Sequence, residues 1–185
     1  NPSRTSLKKI VFELKKKHES ELIDRLEYLA LSDIFWDRIR PLRSAVDRLG
    51  LLNVSVTCHD GTAYPRAAGE FDCVLVDVPC SCEGTSRRFP GILQRPPTRR
   101  MPRRFRKQRL LLESAIRRCR VVGRILYSTC TYAPEENEAV VDAVLNEMPG
   151  VVRILPAGLP GLQTEPGLTE WAGESFQKNL EETIR

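Results

Sequence analysis

The chain of 185 residues carries 29 basic and 24 acidic residues, which gives a formal net charge of +5. It is long enough for one domain with a hydrophobic core, and it contains no apolar run long enough to cross a membrane. We expect no secretory signal, because the N-terminus is polar and charged. The six cysteines follow strand ends rather than a disulfide framework, so we expect reduced thiols and a cytoplasmic location.

The first part of the chain has helical spacing. Residues 1–35 are predicted to form a helical N-terminal segment of unassigned role, because their apolar residues recur every three or four positions. A further helix is predicted over residues 37–49, with Gly50 as its C-terminal cap. Within it, Pro41 is expected to mark a break or a helix start.

Strands and helices alternate in the rest of the chain. Strands are predicted at 53–57, 71–77 and 123–128, with a possible short strand at 151–155. Amphipathic helices are predicted at 111–119 and 140–148. We expect Pro134 at the first position of the later helix, followed by Glu135 and Glu136 in its first turn. This order predicts an α/β fold, a mostly parallel sheet with helices on both faces.

Cysteines follow the ends of two predicted strands. Asp77 closes one strand and leads through Pro79 to Cys80, while Cys130 follows the strand that ends at Ser128. Open α/β sheets place their ligands at the carboxyl ends of strands, and a thiol there is a candidate nucleophile. A lone cysteine is more often a small buried hydrophobe. Two such strand ends, one with a carboxylate beside it, favour a catalytic interpretation.

A basic run follows the first of these strand ends. Residues 85–109 contain no Asp or Glu, and Pro, Phe89 and Phe105 are interleaved with the basic side chains. A run of charge is often a solvated face, but this one starts beside the candidate site. We therefore predict a loop that contacts RNA phosphates. Its principal candidates are Arg87, Arg88, Arg99, Arg100, Arg103 and Arg104.

Two segments resemble the fourth and sixth motifs of the Sun (Fmu-type) family of RNA cytosine carbon-5 methyltransferases. They are Asp-Val-Pro-Cys-Ser-Cys-Glu-Gly-Thr at 77–85 and Ser-Thr-Cys-Thr-Tyr-Ala-Pro-Glu-Glu-Asn-Glu at 128–138. The resemblance covers residues 36–185 and implies a partial methyltransferase catalytic domain. It further implies a Rossmann-like class I methyltransferase fold, incomplete at both ends, S-adenosylmethionine as cofactor, and ribosomal or transfer RNA as substrate.

The resemblance also implies roles for individual residues. Cys130 would be the thiol that attacks carbon 6 of cytosine, and Cys80 would assist elimination and release of the product. Asp77 would contact N3 of the base. Asp60, Asp77 and Pro79 would contribute to the cofactor site, with Asp60 placed against the adenine amine. Without the resemblance, Asp60 is equally well explained as part of an Asp-Gly turn.

One family feature is not found in the chain, and it keeps other functions open. The family's Gly-rich cofactor turn reads approximately Asp-x-Cys-Ala-x-Pro-Gly-Gly-Lys-Thr, and no segment here matches it. One alternative is therefore a catalytically inactive, methyltransferase-like module that binds RNA. Another is a zinc-stabilised RNA-binding domain using Cys58, His59, Cys73, Cys80 and Cys82. No metal is expected, because no Cys-x-x-Cys pair is present. The sequence gives no indication of the oligomeric state.

Overall fold

The computed structural model describes residues 27–94, 101–156 and 163–184. The chain divides into two compact units, 1–65 and 66–185, and each is described by itself. Most of the predicted N-terminal helical segment lies outside the described residues. No helix within the described ranges combines the length and apolar character needed to cross a membrane.

The first unit contains a parallel pair of strands joined by a helix. Strand β1 (Leu29–Asp33) pairs with β2 (Val54–Cys58), and helix α1 (Trp36–Leu49) connects them. The cap at Gly50 is confirmed: its φ of 64° is left-handed, and its N–H donates to the carbonyl oxygens of Asp47 and Val46.

Two predictions for this unit are wrong. Residues 29–33 form a strand rather than a helix, because pairing with β2 supplies their backbone hydrogen bonds and overrides the helical spacing of the apolar residues. Pro41 neither starts nor breaks a helix, since α1 runs through it. The buried side chains of Ile39 and Val46 lie on either side of Pro41 and hold both halves of the helix in place.

The second unit is built on another parallel strand pair. Strand β3 (Phe71–Asp77) pairs with β4 (Cys119–Ser128), and helix α2 (Met101–Arg118) lies between them in the chain. Helix α3 (Glu138–Glu147) follows β4. The register sets Asp77 opposite Ser128, so both strands end at the same edge. The predicted α/β class, with parallel strands alternating with helices, is thereby confirmed.

The core of this unit lies between α2, α3 and the strand pair. Leu112 and Ile116 of α2 pack with Val140 and Val144 of α3, and the side chains of Ile125 and Tyr127 on β4 lie against them. A second group joins Val76, Val78 and Ala115 across β3 and α2. The apolar residues whose spacing predicted these two helices therefore lie on the buried faces of the helices.

Several boundaries differ from the sequence prediction. Helix α2 begins at Met101, so the second half of the predicted basic loop is helical. Pro134 begins a short 3-10 turn (Pro134–Glu136), and α3 starts only at Glu138, because Asn137 departs from helical geometry with φ −116° and ψ −93°. Residues 151–155 are not a strand. Two short antiparallel strands, β5 (Glu170–Trp171) and β6 (Glu174–Ser175), form a hairpin with Ala172 and Gly173 at positive φ.

Candidate active site

Cysteine-bearing loops follow β3 and β4 and meet at the shared strand edge. The Sγ atoms of Cys80 and Cys130 lie 3.3 Å apart, and the backbone N–H of Cys130 donates to Cys80 Sγ at 3.3 Å. Both side chains are partly buried. Because the two strands end in register, the parallel pairing brings together thiols that are 50 residues apart in the chain.

The two loops are joined by hydrogen bonds beyond the thiols. The N–H of Gly84 donates to the carbonyl oxygen of Cys130 at 2.9 Å, and the hydroxyls of Ser81 and Thr131 are 2.5 Å apart. The backbone approaches closely here, because a Cβ on Gly84 would lie 3.1 Å from the carbonyl oxygen of Cys130. A glycine is therefore favoured at position 84 by the packing of the second loop.

A buried carboxylate holds both loops to α2. Glu136 is 0% exposed and accepts from the N–H of Ser81 at 2.9 Å, from Arg104 Nη1 at 3.1 Å and from Gln108 Nε2 at 3.2 Å. Gln108, which is itself fully buried, also donates to the carbonyl oxygen of Pro79 at 2.9 Å. From the sequence, Glu136 was predicted only as a favourable charge in the first turn of a helix. Its buried role could not be inferred without knowing that α2 packs beside it.

Tyr127 and Thr129 fix the turn that follows β4. The hydroxyl of Tyr127 donates to the carbonyl oxygen of Glu136 at 2.7 Å, and Thr129 Oγ1 donates to Asn137 Oδ1 at 2.6 Å. Asn137 Nδ2 in turn donates to the carbonyl oxygens of Thr131 and Ala133. Burial raises the pKa of Tyr127, so its proton is retained for this bond.

A third thiol, that of Cys82, completes the cluster. The Sγ atoms of Cys80, Cys82 and Cys130 all lie within 4.8 Å of one another. Cys82 has a φ of 64°, a left-handed conformation that costs a non-glycine residue about 1 kcal/mol. Strained residues of this kind persist only where their surroundings hold them. No catalytic role was predicted for Cys82, which entered only as a candidate ligand of the zinc-stabilised alternative.

The three thiols share their protons unequally. Thiol hydrogen bonds from Cys130 and then Cys80 lower the pKa of Cys82 to about 3, against the opposing effect of burial. Hydrogen bonds with Cys80 and Cys82, together with burial, raise the pKa of Cys130. The Cys130 thiol lowers the pKa of Cys80, but its hydrogen bond to Cys82 and its burial outweigh this, and the net shift is upward. The cluster thus holds one negative charge readily and resists a second.

Asp77 and Pro79 lie at the start of the first loop. Asp77 is exposed at the last position of β3, and the N–H of the next residue, Val78, donates to the carbonyl oxygen of Ser128 at 3.2 Å. The roles predicted for Asp77 and Pro79 therefore concern residues at the same strand edge as the thiols. Those roles stay predictions.

The basic residues fall into three groups. Arg87, Arg88 and Arg103 are exposed, with the Arg88 guanidinium 5.5 Å from the centre of the Phe89 ring. Arg104 instead pairs with the buried Glu136 and is only 23% exposed. The predicted phosphate contacts of Arg99 and Arg100 lie outside the described residues.

In the first unit, two carboxylates follow the parallel strands. Asp60, two residues after β2, accepts from the N–H and the hydroxyl of Thr62, both at 2.9 Å, and so caps a short 3-10 turn. Asp33 ends β1, where it accepts from the N–H of Phe35 at 2.9 Å and pairs with Arg38 at 3.3 Å. Asp33 was not among the predicted site residues, because a helix was predicted where β1 lies.

Comparison with known proteins gives concordant matches. A family model described as 16S rRNA methyltransferase RsmB/F matches residues 14–167. Ribosomal RNA small subunit methyltransferase F of Shigella dysenteriae is 38% identical over 136 residues, covering 72% of this chain and 28% of that protein. The 28S rRNA (cytosine-C(5))-methyltransferase of Mus musculus is 31% identical over 175 residues, covering 92% of this chain and 22% of that protein.

A solved structure has a similar fold. The crystal structure of a methyltransferase homolog from Pyrococcus horikoshii matches with a TM-score of 0.68 and 28% sequence identity, covering 84% of this chain and 46% of that one. The chain spans about a quarter of the length of the curated relatives it matches.

Proposed function

Because this chain belongs to the 16S rRNA methyltransferase RsmB/F family, we propose that its protein methylates carbon 5 of a cytosine in ribosomal RNA. The predicted Rossmann-like class I methyltransferase fold is confirmed by the likeness to the Pyrococcus horikoshii structure. The observation that carries the proposal is the 3.3 Å separation of the Cys80 and Cys130 sulfurs at the ends of two paired strands. Two thiols this close can act on the same base.

Cys130 is the proposed nucleophile. Carbon 5 of cytosine is a poor nucleophile until a thiolate adds to carbon 6, which makes the ring electron-rich at carbon 5. A bond between Cys130 Sγ and carbon 6 would form in this step. The raised pKa of Cys130 means that the thiol must lose its proton as the base arrives. The proton would pass to the thiolate of Cys82, which keeps a single negative charge among the three sulfurs, and the low pKa of Cys82 makes this transfer uphill.

Asp77 would act during attack on the base, and Cys80 would act during elimination of the product. A protonated Asp77 would donate to N3 of the base and balance the charge that builds there during attack. After methyl transfer, the proton on carbon 5 must leave and the bond from Cys130 to carbon 6 must break. Cys80, in contact with Cys130, would assist this elimination and release the product.

The cofactor we propose is S-adenosylmethionine, which when bound supplies an electrophilic methyl group. Asp60 fits such a ligand, since a carboxylate after a parallel strand can accept a hydrogen bond from an adenine amine. Asp33, at the end of the neighbouring strand, is a similar acceptor suited to ribose hydroxyls. The assignment of Pro79 and Asp77 to the cofactor site stays a prediction.

The RNA must present an unstacked cytosine, because the thiolate attacks from above the ring plane. The exposed Arg87, Arg88 and Arg103 are the proposed phosphate contacts near the site. A ribosomal substrate and six free thiols are consistent with action in the cytoplasm.

The test is a covalent trap. In Cys80→Ala, attack by Cys130 should proceed but elimination should stall, so labelled ribosomal RNA should stay bound on a denaturing gel. Cys130→Ala and the double variant should give no slow band, and Cys73→Ser, an exposed cysteine of β3, should behave as the parent. Binding of RNA without S-adenosylmethionine binding and without any covalent band in Cys80→Ala would instead favour the inactive RNA-binding module.

A further inference from the structure

The proposed reaction uses two thiols, but the site contains three. Cys80 and Cys130 have roles in methyl transfer, whereas Cys82 has none, yet its Sγ lies within 4.8 Å of both others. Among the described residues, this is the group of potential metal ligands whose donor atoms converge to that extent. Three converging sulfurs are a common ligand set for zinc and related thiophilic cations.

The sulfur separations suit a tetrahedral ion. A Zn–S bond of about 2.3 Å in tetrahedral geometry places sulfurs about 3.8 Å apart. Cys80 and Cys130 are 3.3 Å apart, and no pair in the cluster exceeds 4.8 Å. Small side-chain rotations would bring all three sulfurs to a single ion. The sulfurs are partly rather than fully buried, which leaves a route for the ion and a fourth ligand such as water.

The backbone around the cluster is already set for binding. The left-handed φ of Cys82 turns its loop, and the bond from Gly84 N–H to the Cys130 carbonyl closes the loop against the second one. The N–H of Cys130 donates to Cys80 Sγ, a bond that stabilises a thiolate ligand. The folded loops already hold the three cysteines in place, so little conformational entropy would be lost when an ion binds.

We propose that Cys80, Cys82 and Cys130 form a site for one zinc-type divalent cation, and that its occupation blocks methyl transfer. Cys82 would bind as a thiolate, and Cys80 and Cys130 would each release a proton to solvent as their sulfurs bind, so three thiolates and one divalent ion leave a single negative charge. The thiolate needed for attack on cytosine would then be a metal ligand. No metal was expected from the sequence because it contains no Cys-x-x-Cys pair, and Cys130 was not among the candidate ligands.

Cobalt is a suitable probe, because its thiolate complexes absorb in the near-ultraviolet and visible range, where zinc complexes do not. Titration of the fully reduced chain with Co²⁺ in a phosphine reductant should produce sulfur-to-cobalt charge-transfer bands that saturate at one ion per chain. Zinc should then displace cobalt and abolish the bands. Absence of charge-transfer absorption in the reduced protein would overturn the proposal.

Variants identify the ligands. Cys82→Ser and Cys82→Gly should each weaken cobalt and zinc binding by at least about 100-fold, since loss of a second-shell partner alone costs up to that much. The glycine variant also relieves the left-handed strain, so a folding defect cannot account for its loss of binding. Cys73→Ser, which changes an exposed cysteine outside the cluster, should bind as the parent does. Unchanged affinity in both Cys82 variants would sink the site.

Activity provides a second, separable readout. Zinc should inhibit the parent reversibly, with recovery on chelation, and the Cys82 variants should resist that inhibition relative to their own zinc-free rates. This arm rests on the proposed methyl transfer, whereas the cobalt spectra do not. Failure of the proposed function would remove the inhibition data but leave the binding result intact.

Discussion

Glu136 should be the residue on which the two cysteine loops most depend. Its carboxylate is fully buried and accepts from Ser81, Arg104 and Gln108, so it joins the first loop to α2. In Glu136→Gln the shape is kept, but one carboxylate oxygen becomes an amide nitrogen. Either Ser81 N–H or the pair of side-chain donors would then face a donor, and Arg104 would lose its opposite charge.

The expected cost is about 3 kcal/mol of unfolding free energy, the lower end of the range for breaking a buried ion pair, because Arg104 is partly exposed. For a domain of this size, that corresponds to a fall of about 6–12 °C in Tm. Urea unfolding monitored by circular dichroism measures the free energy directly.

Glu135→Gln is the matched control. Glu135 is the neighbouring acid, but it is exposed, and its carboxylate accepts a hydrogen bond from Trp171 Nε1 at 3.2 Å. Its replacement should change stability by no more than about 0.5 kcal/mol. A double-mutant cycle with Arg104→Gln should also show coupling of about 1 kcal/mol or more. Equal stabilities for the Glu135 and Glu136 variants would refute the reasoning.

Three further outcomes are expected. At about pH 5.5, iodoacetamide should label Cys82 before Cys130 and before the more exposed Cys73. The thiolate is the reactive form, and the pKa of Cys82, lowered to about 3, keeps Cys82 ionised at this pH. Mass spectrometry that finds Cys73 labelled first would contradict this prediction. Replacing Arg87, Arg88 and Arg103 with Gln should lower the slope of log affinity for single-stranded RNA against log salt by about 2, because each phosphate contact contributes roughly 0.7. An unchanged slope would mean that these side chains do not contact RNA phosphates. Gly84→Ala should lower the free energy of unfolding by about 1 kcal/mol, since the new Cβ would press on the carbonyl oxygen of Cys130. Gly91→Ala should leave the stability unchanged, because a Cβ there meets nothing within 4 Å. Thermal unfolding of the two variants measures the difference.

The elements with strong local signals were predicted well. The strand at 71–77 has the predicted bounds, and the helix ending at Gly50 has the predicted left-handed cap. Both features depend on residues adjacent in the chain: an apolar run bounded by turn residues for the strand, and a glycine able to adopt positive φ for the cap. The prediction for residues 29–33 was wrong for the opposite reason, since this strand forms by pairing with β2, which is distant in the chain.

The sequence by itself determined that Asp60, Asp77, Cys80 and Cys130 lie at or after strand ends, because motif order and these strand ends are properties of the chain. It could not determine which of them meet. The register that sets Asp77 beside Ser128 brings Cys80 to Cys130, and the left-handed turn at Cys82 adds a third sulfur. Likewise, the sequence predicted phosphate contacts for the basic run, and for Glu136 only a favourable charge in the first turn of a helix. Only the packing of α2 against the site buried Glu136 with Arg104 and Gln108, because burial of a charge requires partners from distant segments.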